Sequence, residues 1–426
     1  MKSPNLLKNM AALGVLQIAN FTLSLAAIPY LTRALGVESW GRVAFVQIVI
    51  NYLMWFCNWG FYLSATRKVA EFRSNPSKVS EILITNWVAQ LILTFFAIVA
   101  LVGLFTFVPF FSKDRLLYAI SIGLLVSNAL SPFWFLNGIE RMRDVAFLQI
   151  LNKASTLPLI FLFVHNSTDS ETYVLINTGC ALVFGILTMW WVKEKYVLSF
   201  SLPAMKKVFA ELKEGMELFT ASLCANLNGS VVPTVLGVIG GPVALGYYSL
   251  ADRARGAATI MLHPITAALF PRMCHLFSSD SDEAAKLLMK VGLIVGASAA
   301  LISIGLYVFS KDIIFLLGGG EFAGAEVALK WLAATPFLIA TSSFGTHQII
   351  IPAQQSRFYY SLTLTTLVVT ASLAVPVIFW KGAEGASIVV FVGEFFLAAS
   401  TYAHLLKNRF FLSRQPEFLA IQKVDR

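Results

Sequence analysis

The chain has 426 residues, 57% of them hydrophobic and only 13% charged. Soluble domains carry about 25% charged residues, so this composition excludes a soluble enzyme or binding module and points to an integral membrane protein. The net charge of +9 resides in cations between apolar runs, which is the signature of orientation in a bilayer, and no nucleic-acid partner is expected.

Apolar stretches near the roughly 20 residues needed to span hydrocarbon recur from end to end. They are placed at 10–32, 43–65, 82–111, 116–138, 145–165, 173–192, 216–239, 246–270, 288–310, 328–350, 358–380 and 383–406. The first follows Lys2 and Lys8 and resembles a signal peptide, but its apolar run continues to Leu31 and reads as a retained helix. The third is long enough to tilt. The predicted fold class is therefore an all-α membrane protein of about twelve transmembrane helices, in two six-helix lobes around a central cationic cavity. The lobes are drawn at 1–200 and 216–410, with a cytoplasmic linker at 201–215 and a tail at 411–426.

Lysine and arginine placement sets the orientation. With the amino terminus inside, the inner segments hold 22 of these residues and the outer segments 7, so both termini are expected in the cytoplasm. The halves also share a pattern. Pro29 and Gly36 close the first span and Gly41 opens the second; Pro233 and Gly240 close the seventh and Gly246 opens the eighth. The offset of 204 to 205 residues is near half the chain. Because the first and seventh spans run in the same direction, the repeat is parallel, about an axis along the membrane normal.

Ionisable residues inside spans are costly and mark functional sites by default. In the eighth span Asp252, Arg253 and Arg255 lie close together. A rise of about 1.5 Å per residue from Gly246 sets Arg255 roughly 13 Å deep. Asp252 and Arg255, three apart, share a face and pair, whereas Arg253 points elsewhere, so the helix carries one cation beyond its carboxylates. Lys153 in the fifth span lies at similar depth. Glu394 in the twelfth is its candidate carboxylate, and the functional alternative is a cationic cavity that holds an anion. Arg33 and Arg42 flank the first outer loop, as interfacial anchors or at a cavity mouth. Glu140, beside Arg141 and Arg143, reads as a solvated helix end or a latch between lobes. His263 and His347 read as packing residues. Asn20, Asn128, Asn226 and Asn228 are polar positions that line a pathway.

The cysteines at 57, 180, 224 and 274 show no metal or redox spacing. No GxSxG, P-loop or HExxH motif appears, so neither an enzyme nor a cofactor or metal is expected.

A set of short motifs runs along the chain: Pro29 through Gly36 with Trp40 and Gly41, Gly60 and Phe61 with Ser64 through Arg67, Trp134 through Glu140 with Met142, Gly246 through Asp252, and Pro264 through Pro271. In these motifs the chain resembles the polysaccharide-transporter family of bacterial flippases, the O-antigen (Wzx-type) members of the multidrug/oligosaccharidyl-lipid/polysaccharide (MOP) exporter superfamily. The resemblance implies an undecaprenyl-diphosphate-linked oligosaccharide as substrate, moved from the cytoplasmic to the periplasmic leaflet of the inner membrane by alternating access. It makes Lys153, Arg253, Arg255 and Arg33 the expected substrate-binding residues, with Asp252, Glu394 and Glu140 as charge partners or coupling groups. Membrane lipids, a proton or sodium ion, and the polysaccharide polymerase and chain-length machinery are the expected partners. The first span carries Gln17 and Asn20 where related lipid II flippases carry cations. A drug/cation antiporter of the same superfamily, which wants a deep carboxylate, is the first alternative. A membrane polysaccharide polymerase, which wants a large outer loop, is the second.

Overall fold

In hydrocarbon every backbone N–H and C=O must be satisfied within its own segment, so apolar runs of this length fold as helices. The computed structural model describes residues 6–197, 202–260, 269, 273, 276, 281–353 and 355–407. Among these, all regular structure is helical.

Helix α1 covers Leu6–Asn58 and contains two of the expected spans, because the backbone leaves helical geometry at Gly36 (φ 71°, ψ 173°). Only glycine reaches that conformation without Cβ strain. Helix α2 (Phe61–Glu71) follows. Helix α3 (Pro76–Phe107) starts where Asn75 Oδ1 accepts from the Lys78 N–H at 3.2 Å, with Pro76 in the first turn. Next come α4 (Pro109–Ser112), α5 (Arg115–Leu130), α6 (Phe133–Gly138), α7 (Met142–Phe163) and α8 (Ser170–Tyr196). The turn into α8 is held by Asp169, whose Oδ2 accepts from the backbone N–H groups of His165 (2.8 Å) and Asn166 (2.9 Å). Then come α9 (Met205–Ile239), α10 (Gly241–Ile260), α11 (Ser281–Val308), α12 (Ser310–Gly318), α13 (Ala325–Leu332) and α14 (Thr335–Gly345). Helix α15 (Ser356–Lys407) leaves helical geometry at Gly382, between the last two expected spans.

Among the described residues eight helices are long and apolar enough to cross a membrane, or nine when the bent pair Met205–Cys224 and Asn226–Ile239 is taken as one span. Twelve spans were expected, and two reasons for the difference are visible. Leu25–Glu71 (47 residues) and Arg357–Lys407 (51 residues) each count once. A crossing needs about 20 residues at about 1.5 Å each, so either is long enough for two. The eighth expected span reaches Ile260, and His263, Pro264, Phe270 and Pro271 lie outside the described residues. The polar link drawn at 201–215 is largely helix, since α9 begins at Met205.

The chain divides into two compact units. One is Met1–Ser249 with Ile314–Ala323; the other is Leu250–Ile313 with Gly324–Arg426. In the first, α5 packs along α8, α1 along α7 and α2 along α6, while α9 lies against α1 and α3. Its inner core includes Phe61, Ala65, Leu83, Phe135 and Leu136. In the second, α14 packs on both α11 and α15, around Val295, Ala299, Phe344 and Leu405. Large apolar side chains such as Phe95, Phe163, Leu293 and Phe379 are left exposed, as a lipid-facing surface requires.

Within the first unit the connecting segments sort into two sets. Arg73 pairs with Glu140 (2.6 Å), Lys68 with Glu211 (2.9 Å) and Glu214 (2.7 Å), and Lys207 with Glu81. All of these belong to segments expected on the inner side. In the other set Arg42 Nε donates to Asp114 Oδ1 (2.6 Å), Ser39 Oγ to Ser167 O (2.8 Å) and Tyr30 Oη to Val164 O (2.7 Å). These come from the expected outer ends.

Candidate functional site

The residues singled out by charge fall into two groups. Asp252, Arg253 and Arg255 lie on the part of α10 that belongs to the second unit, and Glu394 lies on α15 in the same unit. Asp252 Oδ1 is 2.6 Å from an Arg255 terminal nitrogen, the pairing that three-residue helical spacing favours. Arg255 is also within Coulombic reach of Glu394, from a helix more than 130 positions away. The guanidinium is thus paired with one carboxylate and within electrostatic range of a second from another helix. Asp252 and Glu394 against Arg253 and Arg255 balance in formal charge. All four are half-buried.

The first unit holds the others. Lys153 is half-buried on α7, one turn before Pro158. Arg33 is exposed and donates from one terminal nitrogen to Leu316 O (3.0 Å), with Phe315 O at 3.4 Å. These carbonyls lie in the last turn of α12, where a cation complements the helix dipole and satisfies orphan acceptors. Glu140 has a left-handed backbone (φ 62°) and is exposed, paired with Arg73. The structure thus brings together Asp252, Arg255 and Glu394, and it engages Arg33 and Glu140 with local partners in their own unit.

Two further features stand out. Asn58, at the end of α1, accepts through Oδ1 from Gln90 Nε2 (3.2 Å) and Asn128 Nδ2 (3.0 Å), and Trp134 Nε1 donates to Gln90 Oε1 (3.4 Å). Gln90 is buried. Asn58 therefore cross-links α1, α3 and α5, and Asn128, expected along a polar pathway, is its α5 partner. Amides inside apolar runs were the signal, and Asn58 and Gln90 carry it as well. The second feature is a solvent-open cavity of about 690 Å³ lined by Gly36, Glu38, Ser39, Arg42, Glu171, Val243 and Glu321 among others. Arg42 reaches its wall while paired with Asp114.

His347 is exposed and hydrogen-bonded within its own helix turn, whereas His404 is half-buried and packed. His347 Nδ1 sits 3.0 Å from Ser343 O, and His404 stacks on Phe358 with its Nε2 2.7 Å from Gln355 Oε1. Among the described residues no cluster of His, Cys, Asp and Glu has the arrangement of a metal site.

With this geometry in hand, comparison with known proteins places the chain. A family model described as "Polysaccharide biosynthesis protein" matches residues 6–277, well over half of the sequence. A protein of Escherichia coli (strain K12) named "Putative O-antigen transporter" is 26% identical over 394 residues, covering 92% of this chain and 94% of its own. A protein of the same name from Shigella dysenteriae is 23% identical over 389 residues, covering 91% and 96%. Among solved structures, an inward-facing MATE family multidrug transporter of the MOP superfamily superposes with a TM-score of 0.74 at 14% identity, covering 96% of each chain. The lipid II flippase MurJ in an inward closed conformation gives 0.68 at 13% identity, covering 97% of this chain and 93% of that one. Each of these proteins is a transporter or flippase by name, and the structural likenesses establish the fold. The chain belongs to the polysaccharide biosynthesis protein family, as a multi-pass membrane protein with the fold of MOP superfamily transporters.

Proposed function

We propose that this protein is a flippase that carries an undecaprenyl-diphosphate-linked oligosaccharide from the cytoplasmic to the periplasmic leaflet of the bacterial inner membrane. Alternating access of two lobes, 1–200 and 216–410, supplies the route, with both termini in the cytoplasm. The observation that carries the reading is Arg255, held 2.6 Å from Asp252 and within reach of Glu394. A guanidinium matches a diphosphate bidentately. An arriving diphosphate replaces a carboxylate at Arg255, and the carboxylate returns when the headgroup leaves. Exchange of this kind keeps the buried cation compensated at every stage, so no step bears the several kcal/mol of an uncompensated charge. Arg253 adds positive potential beside Arg255, Lys153 is a candidate contact for an anionic headgroup within its own unit, and Arg33 acts at the mouth. Asp252 and Glu394 are also the candidate coupling groups for a proton or sodium ion. The names of the relatives, matched over nine-tenths of the chain, support the same substrate class.

The test is alanine substitution of Lys153, Arg253 and Arg255, one at a time. Surface polysaccharide falls in each while the protein still inserts; normal output from all three refutes the site.

One observation favours a second reading. Glu394 is a carboxylate inside an apolar span, as a drug/cation antiporter requires. Raised drug resistance in a pump-deficient strain, abolished by Glu394→Gln, would select that reading.

A further inference from the structure

The glycine pattern shared by the two halves has a structural counterpart. Gly36 and Gly241, 205 positions apart, both take left-handed backbone conformations (φ 71° and 76°). A Cβ built on Gly41 would overlap the carbonyl oxygen of Pro242, and one built on Gly246 would overlap the carbonyl oxygen of Val37. The same shift carries Gly41 to Gly246 and Val37 to Pro242. Residue i of one half meets residue j of the other, and j meets i, which is the form of an isologous twofold contact. The mate of Gly36 is therefore Gly241 rather than Gly240. All of these residues lie in one compact unit. The crossing consists of backbone against backbone, at positions where no side chain can be accommodated.

Its surroundings indicate what it does. The 690 Å³ cavity is lined by Leu35 through Ser39 and by Val243, residues at or next to the crossing. Glu38, Ser167, Thr168 and Glu321 along it are exposed, while Val37 and Ser39 are buried. Gly41 and Gly246 are buried as well, and Pro242 is exposed. Each strand of the crossing is fastened on its far side by a different set of partners. Ser39 Oγ donates to Ser167 O (2.8 Å) and Arg42 Nε to Asp114 Oδ1 (2.6 Å). Tyr247 packs edge-on against Phe322, with centroids 6.4 Å apart. A second contact between the halves lies beside the crossing, where Arg33 and the buried Thr32 meet the Leu316 and Leu317 carbonyls.

We propose that the reciprocal contact of Gly41 with Pro242 and Gly246 with Val37 is the outer seal of the transport path: the floor of a solvent-filled vestibule, closed by glycine packing about the twofold relation of the two halves. Parting the crossing joins the vestibule to the interior. The direct backbone approach lets two helix ends close without a side-chain plug, so a bulky headgroup can pass once they separate. This assignment rests on the alternating-access reading above, but it is tested separately.

The experiment uses the full chain with its four native cysteines replaced, carrying Val37→Cys as reporter. Right-side-out spheroplasts are treated with a membrane-impermeant maleimide. Val37 lines the cavity with only 9% of its surface exposed, so in the parent the thiol labels slowly. Gly246→Leu wedges the crossing open, raises the labelling rate at least tenfold and abolishes polymer output. Gly103→Leu leaves both unchanged, because a Cβ at Gly103 meets nothing within 4 Å. Should Gly246→Leu fail to accumulate, Gly246→Ala, a smaller wedge at the same place, gives an intermediate increase. An inserted wedge variant that stays protected, or that sustains normal polymer output, overturns the proposal. Labelling that follows the wedge in a chain unable to restore polymer to flippase-null cells removes the substrate assignment and leaves the seal standing.

Discussion

Lys68 and Arg67 are neighbours on α2, and the structure predicts sharply different consequences for removing them. Lys68 Nζ lies 2.9 Å from Glu211 and 2.7 Å from Glu214, with its side chain only 20% exposed and that of Glu211 16%. Arg67 reaches Glu214 at 3.2 Å with its own side chain 71% exposed. Exposed pairs contribute about 0–1 kcal/mol, and Glu214 retains Lys68 when Arg67 is lost. Removing Lys68 instead leaves the half-buried Glu211 without its cation. Charge-assisted hydrogen bonds contribute about 1.5–3 kcal/mol each, and partial solvent access reduces that, so a loss of about 2 kcal/mol is expected. For a cooperative unit of 150–250 residues this corresponds to roughly 4–8 °C in melting temperature. The same region is held by Trp59, whose Nε1 donates to Leu212 O (2.8 Å) and whose ring stacks on Phe219 at 4.4 Å. Gly60 and Gly215 permit the close approach, since a Cβ on Gly215 would lie 2.7 Å from Trp59 O. The assay is thermal unfolding of purified protein in detergent for Lys68→Ala, Arg67→Ala and the double variant Lys68→Ala/Glu211→Gln. Lys68→Ala melts several degrees below the parent, Arg67→Ala within about 2 °C of it, and Glu211→Gln restores part of the loss. Equal effects of the two single variants, or no recovery in the double, would refute the burial reasoning.

Asn58→Leu removes the shared acceptor of Gln90 and Asn128. At about 0.6 kcal/mol per interhelical hydrogen bond in a membrane, plus the cost of buried amide donors left unsatisfied, destabilisation of about 2–3 kcal/mol is expected. A melt unchanged in that variant would show that water already serves these amides. Arg33→Ala removes an exposed contact to the Leu316 carbonyl, about 1 kcal/mol, or about fivefold in an equilibrium. The labelling rate of Val37→Cys rises by about that factor; an unchanged rate would show that this contact does not hold the crossing closed.

The apolar spans were legible because their pattern is local: a run long enough to cross hydrocarbon must be a helix whatever it packs against. The break at Gly36 and the pairing of Asp252 with Arg255 were legible for the same reason, as both are set within one or two turns. What lay beyond local pattern is tertiary. Glu394 was matched to Lys153 by depth alone, and Arg255 of its own unit, which depth did not single out for it, is within electrostatic range of it. Depth ranks candidates but does not choose among helices at the same level. Asn128 read as a pathway residue because a buried amide costs free energy without a partner, and its partner is Asn58, 70 positions away. The link at 201–215 read as polar because its charges are counted along the chain; folded as the start of α9, it directs Glu211 and Glu214 at Lys68.

Complementation is the most direct measurement of the transport assignment. The chain is expressed in a flippase-null strain and, separately, in a polymerase-null strain of matched polysaccharide type. Restored surface polymer in the first and none in the second is the predicted result, with Arg255→Ala inserted but inactive. Restoration in the polymerase-null strain alone, or full activity of Arg255→Ala together with Lys153→Ala and Arg253→Ala, would contradict the account.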